Sequence, residues 1–123
     1  MSRVLLASGD AAFRRTLRNA LSADGAFDVC GETKNRIEAI ERAKELLPDL
    51  VILEMELPPM DDFRAAMALK LNMPKVPVFL VTEQHSSMEV EKAALSHGID
   101  AVFEKGHDFS SLVMNARAVC GLE

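Results

Sequence analysis

A carboxylate, Glu54, follows four apolar residues in a row, Leu50 to Leu53, and precedes the prolines Pro58 and Pro59. A run this short and this β-branched reads as a strand covered on both faces, as in a parallel sheet between helices. Glu54 then stands at the strand's carboxyl end, the edge of an open α/β sheet where ligands and chemistry gather. Three other apolar runs end in the same way. Ser8-Gly9-Asp10 breaks the run Val4 to Ala7, Thr82 closes Val76 to Val81, and Lys105 follows Ala101 to Phe103. In a parallel sheet all of these residues crowd one rim. Carboxylates, hydroxyls and an ammonium at one rim can pair or bind charge. Nothing beside them spells an enzyme: His85, His97 and His107 show no ligand spacing and no neighbouring nucleophile, and there is no Gly-rich phosphate loop.

The elements that must position this rim alternate along the chain. Asp10 is placed to cap a helix whose Phe13, Leu17, Ala20 and Leu21 share a face, with Gly25 just beyond its end. Phe27 to Cys30 alternates apolar and polar, which marks a strand at the sheet edge. Asn35 with Glu38 resembles a capping box, and Ile37, Ile40, Ala43 and Leu47 form the expected stripe of a second helix that Pro48 terminates. A third helix is expected from about Asp62, with Phe63, Ala66, Met67 and Leu71 as its stripe. Ser86 with Glu89 opens a fourth through Val90, Ala93, Ala94 and His97, and Gly98 is its left-handed C-cap. Asp108 caps a fifth, striped by Phe109, Leu112, Val113, Ala116 and Val119. Five strands alternating with five helices make a doubly wound α/β domain.

The 123 residues suffice for one domain, residues 1–123, with a core that needs no metal or disulfide. No apolar stretch approaches a membrane span and the N-terminus lacks the apolar region of a signal peptide, so the expected location is the cytoplasm. Cys30 and Cys120 form no Cys-x-x-Cys pair and are expected to be buried free thiols. A net charge of −5 argues against this domain gripping a nucleic-acid backbone.

Taken together the rim residues resemble the receiver domain of bacterial response regulators over nearly the whole chain. Pro48-Asp-Leu-Val-Ile-Leu-Glu-Met-Glu-Leu-Pro58 looks like the receiver's phosphoacceptor strand, Val78-Phe-Leu-Val-Thr82 its hydroxyl strand and Ala101-Val-Phe-Glu-Lys105 its lysine strand. The resemblance implies a flavodoxin-like three-layer (βα)5 sandwich with a parallel five-stranded sheet of order 2-1-3-4-5. It also exposes departures. The family's phosphoacceptor aspartate is Glu54 here, and the acid pair that holds Mg²⁺ is Ser8 and Gly9. The switch aromatic falls on Val102. Pro58-Pro-Met-Asp-Asp62 lacks both glycines of the family's turn, so that loop should be stiffer and more acidic. Phe103 is expected in the core.

Thr82 and Lys105 match the family's hydroxyl and lysine. Both are expected to contact Glu54, with Lys105 and Glu54 as an ion pair, while Asp10 serves as a helix cap rather than a metal ligand. Without the acids, Mg²⁺ should be held weakly or not at all, and phosphoryl transfer to the longer Glu54 should be badly impaired. The expectation is a degenerate receiver that requires no cofactor and signals by protein contact through the face of its fourth helix, fifth strand and fifth helix. Its partner would be another protein, a second copy or a histidine kinase. Glu54 would mimic the phosphorylated state only in part, since it carries one charge against about −1.5 to −2 for a phosphate. Two alternatives stay open: a receiver binding phosphate or metal unconventionally through Asp10, Glu56 and backbone oxygens, and a small ligand binder on the same fold. The segment from Cys30 to Pro48 looks like receivers that precede a helix-turn-helix output domain, so the chain fits either a stand-alone receiver or the first part of a longer regulator.

Overall fold

The computed structural model describes residues 1–55, 63–82, 88–106 and 108–122. Its elements are β1 (Ser2–Ala7), α1 (Ala11–Asp24), β2 (Phe27–Thr33), α2 (Arg36–Leu46), β3 (Leu50–Met55), α3 (Phe63–Asn72), β4 (Val78–Thr82), α4 (Met88–Ser96), β5 (Ala101–Glu104) and α5 (Ser110–Val119). The strands are all parallel and lie in the order β2-β1-β3-β4-β5, as expected. Glu56, the turn from Pro58 to Asp62, His85, Ser86 and His107, with the side chains of Phe63 and Val90, lie outside the described residues.

Strand alternation divides the core into two layers. Val4, Leu6, Leu50, Ile52, Phe79 and Val81 face α1 and α5, where Phe13, Leu17, Leu21, Phe109, Leu112 and Ala116 close over them. Leu5, Ala7, Val51, Leu53, Val78 and Leu80 face the other way, against Ala39 and Ala43 of α2, Ala66 and Leu69 of α3, and Ala94 of α4.

Local chemistry sets the boundaries. Asp10 caps α1 by accepting from the N–H groups of Ala12 and Phe13 at 3.0 and 3.2 Å, and Gly25 ends it at φ +85°. Asn35 caps α2 by accepting from Glu38 N at 2.9 Å, while the Glu38 carboxylate takes Lys34 N rather than closing the box on Asn35. Gly98 adopts φ +93°, and an added Cβ there would also lie 3.0 Å from the Lys70 stem. β2 is indeed an edge strand, but it runs on to Thr33 through a bulge. Val29 pairs with Val4 and Gly31 with Leu5, which leaves Cys30 as the extra residue. Glycine fits next to it because a Cβ at Gly31 would meet the Cδ1 tip of Leu46 at 2.7 Å, so that side chain would have to shift. Cys30 and Cys120 are free and half-buried, and burial pushes both thiols up from their ordinary pKa.

Several expected stripes are corrected. On α2, Ile40 and Ala43 pack inward as expected, but Ile37 and Leu47 are exposed and Ala39 and Leu46 take their places. Leu47 is the C-cap at φ 49°, in the left-handed region, with Pro48 after it unable to continue the helix, and the turn swings it off the buried face. On α3 the buried residues are Ala65, Ala66 and Leu69, whereas Met67 and Leu71 face solvent. On α5 Val119 is exposed, and Asp108 sits one place before the cap. Phe109 takes the cap position because its ring is needed in the core, edge-on to Phe13 at 5.8 Å; Asp108 still accepts from Ser110 N at 2.9 Å. β4 starts at Val78, so Pro77 stands outside it and costs the ladder no donor; its carbonyl accepts from Val51 N at 3.1 Å. Among the described residues no helix is long and apolar enough to cross a membrane.

Candidate functional site

Strand parity decides which rim residues meet. Ser8 continues the alternation of Val4 and Leu6, Glu54 that of Leu50 and Ile52, and Lys105 that of Ala101 and Phe103, all on the α1–α5 side of the sheet. Thr82 continues the alternation of Val78 and Leu80 and belongs to the other layer. The three residues of common parity converge beneath the first turn of α1.

The Glu54 side chain is only 5% exposed. Its Oε1 accepts a 2.6 Å hydrogen bond from the buried Ser8 hydroxyl, and its Oε2 is buried with no hydrogen-bond partner. Ser8 is held from three sides: its Oγ accepts from Asp10 N at 3.0 Å, its N–H donates to Thr33 O at 3.0 Å, and its carbonyl takes Arg14 Nη1 at 2.5 Å. Arg14 is braced in turn by Glu32, which also pairs with Arg18 at 2.5 Å.

Lys105 enters on the same face from the edge strand β5. Its backbone N–H donates to Thr82 O at 2.7 Å, which fixes the end of β5 against β4. Its ammonium lies 2.7 Å from Asp10 Oδ2, 3.9 Å from Glu54 Oε1 and 5.0 Å from the centre of the Phe13 ring. The expected Lys105–Glu54 pair is therefore the longer contact, and the short one is to Asp10. The hydroxyl bonded to Glu54 is that of Ser8, not Thr82, which is buried at the end of β4 opposite Met55. Asp10 fills both roles at once: Oδ1 caps the helix while Oδ2 takes the ammonium. The hydrogen bond from Lys105, helped by the Phe13 and Ala12 N–H groups, holds its carboxyl below the ordinary 3.8. Sequence reasoning missed the Ser8–Glu54 bond. The signal for it was the extra methylene of Glu54, which carries its carboxylate toward β1 on the face where Ser8 also points.

Val102 is half-buried on the α2–α4 side, and Phe103 packs its ring 5.1 Å from Phe79 on the other, as a core residue should. Gly9 contributes no side chain to the pocket, and a Cβ there would meet only Lys34 O, at 3.6 Å.

The donors present do not fit the divalent metal that the resemblance implies. Ser8 offers a hydroxyl already engaged with Glu54, both oxygens of Asp10 are taken, and an ammonium stands between the two carboxylates. Among the described residues no three acidic, histidine or cysteine side chains cluster as a metal site.

The geometry agrees with what known proteins show. The sequence signature of the response regulator receiver domain matches residues 4–117. Protein-glutamate methylesterase/protein-glutamine glutaminase 4 of Myxococcus xanthus is 33% identical over 103 residues, which are 84% of this chain and 29% of that protein. Response regulator protein VraR of Staphylococcus saprophyticus is 32% identical over 103 residues, 84% of this chain and 49% of the relative. The chain thus spans less than half the length of these curated relatives. The signal receiver domain of the response regulator NarL from Mycobacterium tuberculosis superposes with a TM-score of 0.86 at 26% identity, covering 98% of this chain and 96% of that one. From Val4 to Arg117, with its rim residues at the carboxyl ends of four of its five parallel strands, the chain belongs to the response regulator receiver domain family.

Proposed function

We propose that this chain is a receiver module that signals without a phosphorylation cycle. The observation that carries the reading is the pocket's own ion network. Glu54 stands where a phosphoacceptor aspartate is expected and is bonded to Ser8, while Lys105 neutralises Asp10 beside it. No carboxylate stands at Ser8 or Gly9 to hold Mg²⁺, so the charge of a transferring phosphoryl group has no metal to meet. The module binds Mg²⁺ weakly or not at all and needs no other cofactor.

Its output is a protein contact. The face of α4, β5 and α5 is the surface assigned to it, with Met88, Leu95 and Met114 exposed on its helices. The partner is a second copy or another protein, a histidine kinase included, and any DNA contact belongs to a separate domain. The methylesterase activity in one relative's name is not carried over, because this chain matches less than a third of that protein.

A thermal melt with and without Mg²⁺ plus beryllofluoride, the mimic of a receiver's phosphoryl group, tests the reading. A ligand at 100 times its Kd stabilises by about 2.7 kcal/mol, so binding would be plain to see. The expected result is no shift. A clear rise would establish the second reading, a phosphate or metal site assembled unconventionally through Asp10, which the orphan Glu54 Oε2 favours. Glu54→Gln tests the partial mimic: unchanged dimerisation and partner binding would sink it.

A further inference from the structure

We propose that the Asp24-Gly25 step, where α1 ends, is a site of spontaneous isoaspartate formation, and that the ion pair from Arg117 on α5 restrains it. The inference is independent of how the rim signals. Asp24-Gly25 is the one step in the sequence at which glycine follows an aspartate or an asparagine. Such a step is reactive because the nitrogen of a residue without a Cβ can approach the preceding carboxyl carbon. Three features leave the reaction open. Asp24 is the last residue of α1, where onward helical bonds run out and the chain frays at little cost. Gly25 sits at φ +85°, and apart from its chain neighbours nothing lies within 4 Å of where a Cβ would be, so a ring has room to form. The Gly25 N–H donates to Ser22 O at 3.1 Å, a turn bond rather than a helical one. One feature opposes the reaction. Asp24 Oδ2 takes Arg117 Nη1 at 2.6 Å, with the two side chains 17% and 30% exposed, so the carboxyl is moored to α5. Ring closure needs that carboxyl carbon turned onto its own chain, and a group held off its attack geometry reacts slowly.

The chemistry needs nothing but water. The Gly25 nitrogen bonds to Asp24 Cγ and gives its proton to solvent, a carboxyl oxygen leaves as water, and a cyclic imide results. Water then adds at the Asp24 main-chain carbonyl and breaks its bond to the Gly25 nitrogen. The chain now runs through Cβ and Cγ, one carbon longer, and the former main-chain carbonyl is a free carboxylate. Mass and charge are unchanged. The carboxylate no longer stands where Arg117 reaches it, so α1 loses its tie to α5 at this end.

Folded protein is aged at neutral pH, and isoaspartate at this step is counted by peptide mapping and by methyl transfer with an isoaspartate-specific methyltransferase. Arg117→Met is expected to accrue it about two- to fivefold faster than the wild type, the range that one partly exposed ion pair can supply. Arg117→Lys should restore most of the restraint, and in urea all three should accrue at one common rate. Asp24→Glu, whose longer side chain closes a ring less readily, should accrue none at this step. If Arg117→Met is no faster than the wild type, or is faster in urea as well, the pair is not the restraint. Ala66→Leu, on α3 in the opposite layer, separates the pair from general loosening: the wild-type rate is expected, and a rate matching Arg117→Met would overturn the proposal. If Arg117→Met does not fold, Arg117→Gln decides by the same comparison. Wild-type protein that accrues none at this step even in urea would remove the site itself.

Discussion

The two layers that cover the sheet are built from different materials. On the α1–α5 side four phenylalanines are buried, Phe13, Phe27, Phe79 and Phe109, and Phe103 packs against them. On the α2–α4 side the helices approach through alanines, Ala39, Ala43, Ala66 and Ala94, and among the described residues that core contains no aromatic ring. Leu69, Ile40 and Leu46 join them, but many large apolar residues of those helices point outward: Ile37, Met67, Leu71, Met88 and Leu95 are all exposed. One layer is held by side chains that fill space, the other by small side chains that let backbones come close. The site is built on the first, since Ser8, Glu54 and Lys105 share its parity and Phe13 supplies part of its wall.

The largest expected effect is at the centre of the aromatic layer. Phe79→Ala removes a fully buried ring that touches Phe103, and should cost about 3–5 kcal/mol in urea unfolding. A cost under about 1 kcal/mol would mean that the layer collapses easily and is not set by its rings. Next comes Ala66→Leu in the alanine layer, where added volume has nowhere to go; a loss of about 1–3 kcal/mol is expected, and no loss would show that α3 can retreat from the sheet. On the same helix Leu71→Ser, at an exposed position, should change stability by no more than about 0.5 kcal/mol. A larger loss would show that Leu71 is covered in solution.

The smallest effect concerns acid. The Asp10 carboxyl, which anchors the first turn over the aromatic layer, is held below 3.8 by Lys105 and the helix N–H groups. A depressed carboxyl contributes stability that is present above its unfolded value and lost as pH falls through the folded one. Asp10→Asn should therefore flatten the decline of the melting temperature below about pH 4 relative to the wild type. Parallel acid limbs in the two proteins would remove Asp10 from the linkage. The group faces solvent, so the difference should be slight.

The contrast between layers also explains what the sequence could and could not reveal. Strand runs, Gly25, Gly98 and the caps at Asp10 and Asn35 were legible because each rests on local backbone chemistry. The α1 stripe was legible because its bulky residues are the buried ones. Leu47, Met67 and Leu71 misled because in the alanine layer bulk and burial are uncoupled, and only the approach of neighbouring elements decides which face of a helix is inside. At the rim the residue set was legible, and its pairing was not. Lys105 chose Asp10 over Glu54, and Ser8 displaced Thr82, through side-chain direction, which a continuous apolar run does not display.

Gly9 shows where the pocket's chemistry could be altered. Its backbone is not in the left-handed region, and a Cβ would meet one carbonyl at ordinary contact distance. The main chain at this position therefore does not demand glycine, and a side chain could be set at the mouth of the pocket without rerouting the backbone that carries it.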